Sequence, residues 1–388
     1  MTTTAAVYTD IVDSAEAGRH LGAQVLEQFG DISPDVLIVF ASARFDFTAL
    51  LTALSATCRP KLMVGSSSAG EFTNKLRGEG TACALAIRST DIQASAGVGR
   101  EVSRDRAKAA RDVVSAFRGV EAREFPYRTA LLMTDALAGH ADDLVAELTV
   151  LTSGNYQFAG GGAGDDAKFA QTHVFLGTEA FTDAVVGLEL LSKKPLGVGV
   201  SHGWTPAGRV LRVTQTEGMR VVSLNGMPAV EAFEEHARLT NQHFDREAAL
   251  PFFLHNILGI ETGAGHRLRV PLSVNADGSV SCAAEIPTGA TVQIMKTTAD
   301  SAVAAARQAT AAAVEGLRGE KPGAALFFDC VATRLRMGEV FGFELDSVAQ
   351  MLGGAGLVGC NTYGQIARAE GQFGGFHNCT AVVMLLPS

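Results

Sequence analysis

Three hydroxyls and a carboxylate stand close together in Gly65-Ser66-Ser67-Ser68-Ala69-Gly70-Glu71, directly after the apolar run Leu62-Met63-Val64. A serine between small residues at the end of a strand is the pattern of a nucleophile elbow, where a neighbouring base takes the hydroxyl proton and the oxygen attacks an acyl carbon. The elbow needs a long helix immediately after the serine. Here Glu71-Phe72-Thr73-Asn74-Lys75 leads through glycines to another apolar run, Cys83–Ile87. A turn that shapes structure or lines a ligand is the better reading, with Gly65, Ser66, Ser68, Gly70 and Glu71 as its candidate contacts.

The same design recurs near the C-terminus as Gly359-Cys360-Asn361-Thr362-Tyr363-Gly364-Gln365. No hydroxyl is kept where the serines sit, which argues again for lining over nucleophilic attack and adds Cys360, Asn361, Gly364 and Gln365 to the candidates. Gly160-Gly161-Gly162-Ala163-Gly164-Asp165 has the glycine content of a phosphate loop. It lacks the last glycine of G-x-G-x-x-G and the Lys-Ser/Thr ending of a P-loop. Arg44 and Arg334 follow their strands at similar distances in the two copies and could grip a carboxylate bidentately, or pair with Asp46 and Glu339. His202-Gly203-Trp204 carries the only tryptophan; it either packs a domain junction or walls a pocket with one aromatic face and one polar group. His377-Asn378 precedes the last apolar run and lines the same opening or turns the chain.

The elements that must position these residues repeat. A strand Val36–Phe40, a helix Phe47–Ala56 and the strand before the serine turn are answered by Ala324–Phe328, a helical segment and the strand before Gly359. A weaker middle copy runs from Ala130-Leu131-Leu132-Met133 through the Gly160 turn to Val185–Leu190. Each copy closes on one more apolar run. Cys83–Arg88 and Ile92–Gly99 read as a hairpin, Asp13-Ser14 as the start of the first helix, and Asp300–Leu317 as a long alanine-rich helix. Asn275-Ala276-Asp277-Gly278 joins two further strands. The expected fold is α/β with mixed sheets, in which duplicated strand–helix–strand–strand units form two related lobes around a central cleft. A boundary at Lys193-Lys194-Pro195 divides the chain into 1–195 and 196–388.

At 388 residues, with 47% apolar and 19% charged residues, the chain is expected to hold more than one core. A net charge of −9 without a basic stripe disfavours nucleic acid, whose affinity comes largely from phosphate neutralisation. No apolar stretch reaches the roughly 18–20 residues of a membrane span, and the N-terminus lacks a signal-peptide pattern, so a cytoplasmic location is expected. Six scattered cysteines without a C-x-x-C pair read as reduced, buried thiols. No metal site is expected from them.

Taken in order, these segments resemble the FIST family of sensory proteins. Val64-Gly65-Ser66-Ser67-Ser68-Ala69-Gly70-Glu71 matches its N-terminal part. Gly203-Trp204-Thr205-Pro206-Ala207-Gly208, Leu224-Asn225-Gly226-Met227-Pro228-Ala229, Cys330-Val331-Ala332-Thr333-Arg334, Gly359 through Gln365, and His377-Asn378-Cys379-Thr380 match its C-terminal part. Gln365 departs from the pattern, which usually has Glu there. The resemblance implies a small-ligand-binding sensory protein that signals to a separate partner by conformational change. That expectation is of binding, not turnover, with a serine-dependent hydrolase the least favoured alternative.

The resemblance also implies an alternative, a nitric oxide sensor with a b-type haem that regulates a histidine kinase or a cyclic-di-GMP enzyme. Without C-x-x-C-H the haem would be non-covalent, and its iron would need one histidine in an apolar pocket. His255, in Leu250-Pro251-Phe252-Phe253-Leu254-His255, has the most apolar context, followed by His243 beside Phe244. Apart from such an iron no metal is expected.

Overall fold

The computed structural model describes residues 1–119, 124–263, 265–369 and 374–388. Three copies of one unit organise the chain, the middle one included. The first runs through the strand Thr2–Thr9, helix Ser14–Phe29, strand Val36–Ser42, helix Phe47–Cys58, strand Leu62–Ser68, a hairpin over Glu71–Thr73 and Arg77–Gly78, and strand Ala82–Ser89. The second repeats that order from Ile92–Arg100 to Ala184–Ser192, with its hairpin at Val174–Leu176 and Glu179–Phe181. The third begins at Gly197–Ser201 and resumes at helix Ala299–Gly316. It continues through strands Pro322–Cys330 and Gly356–Thr362 and a hairpin over Gln365–Arg368 and Gly375–His377, and ends at Ala381–Pro387.

In every unit the central pair of strands is parallel, joined by a helix: Val36–Ser42 lies beside Leu62–Ser68, Tyr127–Thr134 beside Gln157–Gly162, and Pro322–Cys330 beside Gly356–Thr362. The hairpin of each unit leaves its own sheet and extends that of a neighbour. Phe72 of the first unit pairs with Gly359 of the third, Ile366 of the third with Gly160 of the second, and Phe175 of the second with Gly65 of the first. The exchange is cyclic, so each sheet has an edge supplied by another unit, which covers backbone groups that an open edge would expose.

Near-continuous apolar runs in the central strands are expected where a sheet is buried on both faces. The inner faces of the three sheets meet in one core that includes Phe40, Val64, Met133, Val186, Phe328, Val358 and Met384. The Phe40 and Phe328 rings meet edge to face at 5.6 Å. Three separate clusters form under the helices of the first, second and third units. Two expectations are thereby corrected. The centre is filled by side chains, so two lobes around a central cleft are not what the chain forms. The runs at Ala82–Ser89 and Ile92–Arg100 are strands but not a hairpin. The former pairs with Thr2–Thr9 and Val36–Ser42, the latter with Ala184–Ser192, because the turn between them joins two units.

Between Ser201 and Ala299 the third unit is interrupted by an antiparallel sheet of nine strands, with helix Ala229–Thr240 packed on it through Val230, Phe233 and Ala237. Among the described residues no helix is long and apolar enough to cross a membrane.

Candidate functional site

The glycine-rich turns of the three units converge and hydrogen-bond in a ring. Ala69 N–H donates to the Asn361 carbonyl at 3.0 Å, Tyr363 N–H to Gly162 at 2.9 Å, and Gly164 N–H to Ser67 at 3.0 Å. The strand entering each turn carries a glycine for a steric reason. A Cβ on Gly65, Gly160 or Gly359 would lie 1.9, 1.9 and 2.1 Å from the carbonyl oxygens of Val39, Leu132 and Phe327. These glycines set the spacing of the parallel pair, and Gly65 therefore contacts backbone rather than a ligand.

Glu71 and Gln365 hold equivalent posts. The Glu71 carboxylate accepts from the Ser68 hydroxyl at 2.5 Å, from the Thr81 hydroxyl at 2.6 Å and from Thr81 N–H at 3.1 Å. Gln365 donates to Thr362 Oγ1 at 2.9 Å and accepts from Thr380 N–H at 3.2 Å. Each ties its turn to the last strand of its own unit, so an amide replaces the acid without loss of either bond. Burial pushes the Glu71 carboxyl up to about 7, against the hydrogen bonds from Ser68 and Thr81 that favour its charged form. In the middle unit the tie to the last strand falls to Asp135, which accepts from the Thr172 hydroxyl at 2.5 Å and from Asp183 N–H at 2.7 Å, while Asp165 accepts from the N–H groups of Phe169, Ala170 and Gln171 and from the Tyr363 hydroxyl.

Beside this ring, the hairpin of the first unit and the short helix Val331–Met337 of the third enclose a cleft of about 300 Å³, walled by Gly70, Glu71, Arg77, Glu79, Arg334, Phe341 and Asn361. Asn361 is 1% exposed, and neither its Oδ1 nor its Nδ2 has a hydrogen-bond partner among the described residues. Leaving such groups unpaired costs about 1–3 kcal/mol. Arg334 also has an unpaired, buried Nε, while its Nη1 holds the Glu79 carboxylate. Gly70, at φ +123°, is the floor between them: a Cβ there would lie 2.9 Å from Asn361 Oδ1 and 3.4 Å from Arg334 Nε.

The structure thus gathers Gly70, Glu71, Arg334 and Asn361 of the expected residues into one cleft. Gly364 and Asn378 line a second, apolar pocket. Arg44 stays on the first unit, where it donates to the carbonyls of Asp10 and Ile11 and stacks over Phe45; its acidic alternative Asp46 instead caps a helix. Arg334 pairs with Glu79, not Glu339. Ser66 and Cys360 are buried in the central strands of their units, and Ser68 is spent on Glu71. Ser67 is fully buried and exchanges hydrogen bonds with the backbone of His173 at 2.9 and 3.3 Å. His202 bonds to the His266 carbonyl, and Trp204 packs with Ile257 and Met295 at the junction with the inserted sheet. His377 is enclosed, and burial holds its imidazole down to about 3.

Glu79 and Phe341 were missed because they carry no motif. Their part in the cleft follows from the hairpin crossing to the third unit. The haem expectation rests on His255 and His243, and both are exposed on the inserted domain. An axial ligand needs an apolar enclosure, so these two positions do not fit that role.

Two family models match the chain, one for the FIST N domain over residues 35–227 and one for the FIST C domain over residues 229–368. An uncharacterized protein of Mycobacterium bovis is 26% identical over 244 residues, 58% of this chain and 59% of its own length. An uncharacterized protein of Mycobacterium tuberculosis is 25% identical over 263 residues, 66% of this chain and 67% of its own. The chain therefore spans about three fifths of the first of these relatives. Among solved structures, a cyanuric acid hydrolase from A. caulinodans is 9% identical with a TM-score of 0.33, and both chains are covered completely. A second cyanuric acid hydrolase is 8% identical with a TM-score of 0.35, covering 99% of both chains. The exclusion of turnover expected from the sequence is withdrawn. At such scores the likeness transfers neither reaction nor residues. The chain belongs to the FIST family, with its N and C domains in tandem, an architecture that supports a sensory and signalling role.

Proposed function

We propose that the protein senses a small carboxylate-bearing metabolite held in the cleft between the hairpin of the first unit and the helix Val331–Met337. The observation that carries this reading is the Asn361 side chain, an enclosed amide with a donor and an acceptor both unspent beside an arginine. A guanidinium presents donors in a planar fork that matches a carboxylate. The amide supplies the hydrogen bonds that a second polar group on the ligand requires, an amine or hydroxyl being suited to Oδ1. The Glu79 carboxylate already pairs with Arg334, which supports a carboxylate as the group bound there.

A ligand carboxylate entering the cleft competes with Glu79 for Arg334. Glu79 lies just after the hairpin that one unit lends to another, so its release alters the contact between first and third units. The ligand stabilises whichever arrangement leaves Arg334 free, and a partner that reads that arrangement receives the signal. Titration calorimetry with a panel of small amino and hydroxy carboxylates tests the reading, alongside Arg334→Ala and Asn361→Ala. Binding of at least one compound, weakened about tenfold or more in each variant, is expected, tenfold being about 1.4 kcal/mol. Binding that is indifferent to both substitutions would sink the assignment to this cleft.

A further inference from the structure

We propose that an apolar pocket formed jointly by the second unit, the third unit and the inserted sheet binds a small neutral molecule with a single aromatic ring. This pocket shares no wall residue with the cleft of Arg334 and Asn361, so it stands apart from the carboxylate reading. Leu137 comes from the helical turn Ala136–Ala138 of the second unit, and Phe169 from the loop that follows the Gly160 turn. Met219 comes from a turn of the inserted sheet and Tyr363 from the glycine turn of the third unit.

Single exposed apolar side chains are ordinary on a protein surface, whereas several around one hollow mark a place of interaction. Leu137, Phe169 and Met219 are 38, 39 and 37% exposed, and all three stand on this pocket, while Tyr363 and Asn378 on its wall are buried. The hollow is therefore open to solvent at an apolar rim. Water needs two to four polar partners to be held in place, and such walls serve it poorly.

Phe169 is kept at this rim at a cost. Its φ of +52° is a left-handed conformation that a bulky side chain rarely adopts, and Asp166 and Ala167 before it are left-handed as well, at +57° and +63°. The Asp165 carboxylate fixes the loop, accepting from the N–H groups of Phe169, Ala170 and Gln171 at 2.8, 2.6 and 2.9 Å and from the Tyr363 hydroxyl. Strain that its surroundings over-determine in this way gathers at ligand clamps. The outcome is a pair of rings on the wall: Phe169 stacks on Tyr363 with centroids 4.4 Å apart and planes 15° from parallel.

Size, charge and wall chemistry select the ligand. The pocket holds about 110 Å³. An engineered apolar cavity of roughly 150 Å³ takes up benzene, so with an open rim one ring is accommodated here and a fused pair is not. Among the described residues no charged side chain lines the pocket, and an ionised group would be buried unpaired. The stacked rings and the Met219 thioether favour an aromatic over an aliphatic ring of the same size. Asn378 adds one amide to the wall. Its Oδ1 accepts from Val270 N–H and its Nδ2 donates to the His377 carbonyl, both at 3.3 Å, which leaves each atom capacity for a second bond. A phenol, with one hydroxyl on one ring, meets all of these conditions.

The test adds phenol, cyclohexanol and benzoate in turn to the full chain labelled at its methionine methyl groups, and follows the Met219 resonance, assigned through Met219→Leu. Phenol should shift that resonance saturably and bind about two- to tenfold more tightly than cyclohexanol, the worth of an aromatic contact. Benzoate should leave it unmoved. Phe169→Ala should weaken phenol about fivefold or more through the lost ring, whereas Arg334→Ala should not change its affinity. Cyclohexanol binding as tightly as phenol, a shift that benzoate reproduces, or no saturable shift with millimolar phenol would overturn the proposal. The comparison of the three compounds on the unaltered chain decides this even if Phe169→Ala disturbs the fold.

Discussion

Asn361 stands against Gly70 so closely that its Oδ1 lies 2.9 Å from the position a Cβ would take, although the two residues belong to different units of the chain. Its backbone repeats the relation, donating from Asn361 N–H to the Gly70 carbonyl at 2.8 Å. The cleft is therefore built across a unit boundary, and a methyl group at residue 70 intrudes on it directly. Gly70→Ala should lower the thermal midpoint, since φ +123° strains a residue with a Cβ by on the order of 1–3 kcal/mol. Ligand binding in calorimetry should fall by more than stability alone explains. An alanine variant with full affinity would show that the amide can retreat and that the cleft is not rigid.

Two strand glycines and one turn glycine form a graded set. Gly65→Ala and Gly359→Ala force a methyl carbon against the backbone carbonyls of Val39 and Phe327, which cannot swing aside as a side chain does. Each should cost about 3 kcal/mol or more, the upper end of overpacking. Gly177→Ala is the control, with φ +61° and nothing within 4 Å of the added carbon. Its cost should be on the order of 1 kcal/mol from the backbone alone. Chemical unfolding of the three variants checks the order.

Glu71 should tilt the pH dependence of stability. Its folded pKa of about 7 lies above the ordinary 4.5, so the folded chain holds the proton more tightly than the unfolded chain does. The stabilisation is complete below the unfolded value and is lost as pH rises through about 7, with a span on the order of 3 kcal/mol. Glu71→Gln should flatten that slope without loss of fold, because Gln365 already makes the equivalent pair of bonds to Thr362 and Thr380. Urea midpoints measured across this pH range would reveal an unchanged slope if another group were responsible.

Glu79 competes with any carboxylate for Arg334. It is largely exposed, so the pair is worth only about 0–1 kcal/mol. Glu79→Gln should therefore tighten the binding of an anionic ligand about two- to fivefold and leave the thermal midpoint nearly unchanged. Weaker binding in this variant would mean that Glu79 contacts the ligand itself.

A second buried acid makes a purely structural prediction. Glu189 accepts from the Tyr156 hydroxyl at 2.5 Å, Ser95 at 2.7 Å, and the N–H groups of Arg118 and Gly119 at 2.7 and 2.8 Å. Tyr156→Phe removes one hydrogen bond to a charged group and should cost about 1.5–3 kcal/mol in urea unfolding. Ligand affinity in the distant cleft should not change.

Much of the local architecture was legible because it is local. Asp13 caps the first helix through Glu16 N–H, as a short polar residue before an apolar stripe predicts. The apolar runs before Gly65, Gly160 and Gly359 became the parallel partners they resemble. The pairing of Ala82–Ser89 with Ile92–Arg100 was misread because adjacency along the chain favours a hairpin. Membership of different sheets leaves no trace in either run.

The sequence by itself determined that one strand–helix–strand unit recurs, where its glycine turns fall, and that its strands are buried on both faces. These properties follow from side-chain volume, hydropathy and backbone freedom, which each residue carries wherever it is placed. Only the tertiary structure decided that three units close into a ring, that their hairpins are exchanged, and that the centre is filled. It likewise decided that Asn361, Arg334 and Gly70 share one cleft. Those contacts depend on which sheet edge a hairpin completes, a choice made by the mutual burial of distant segments.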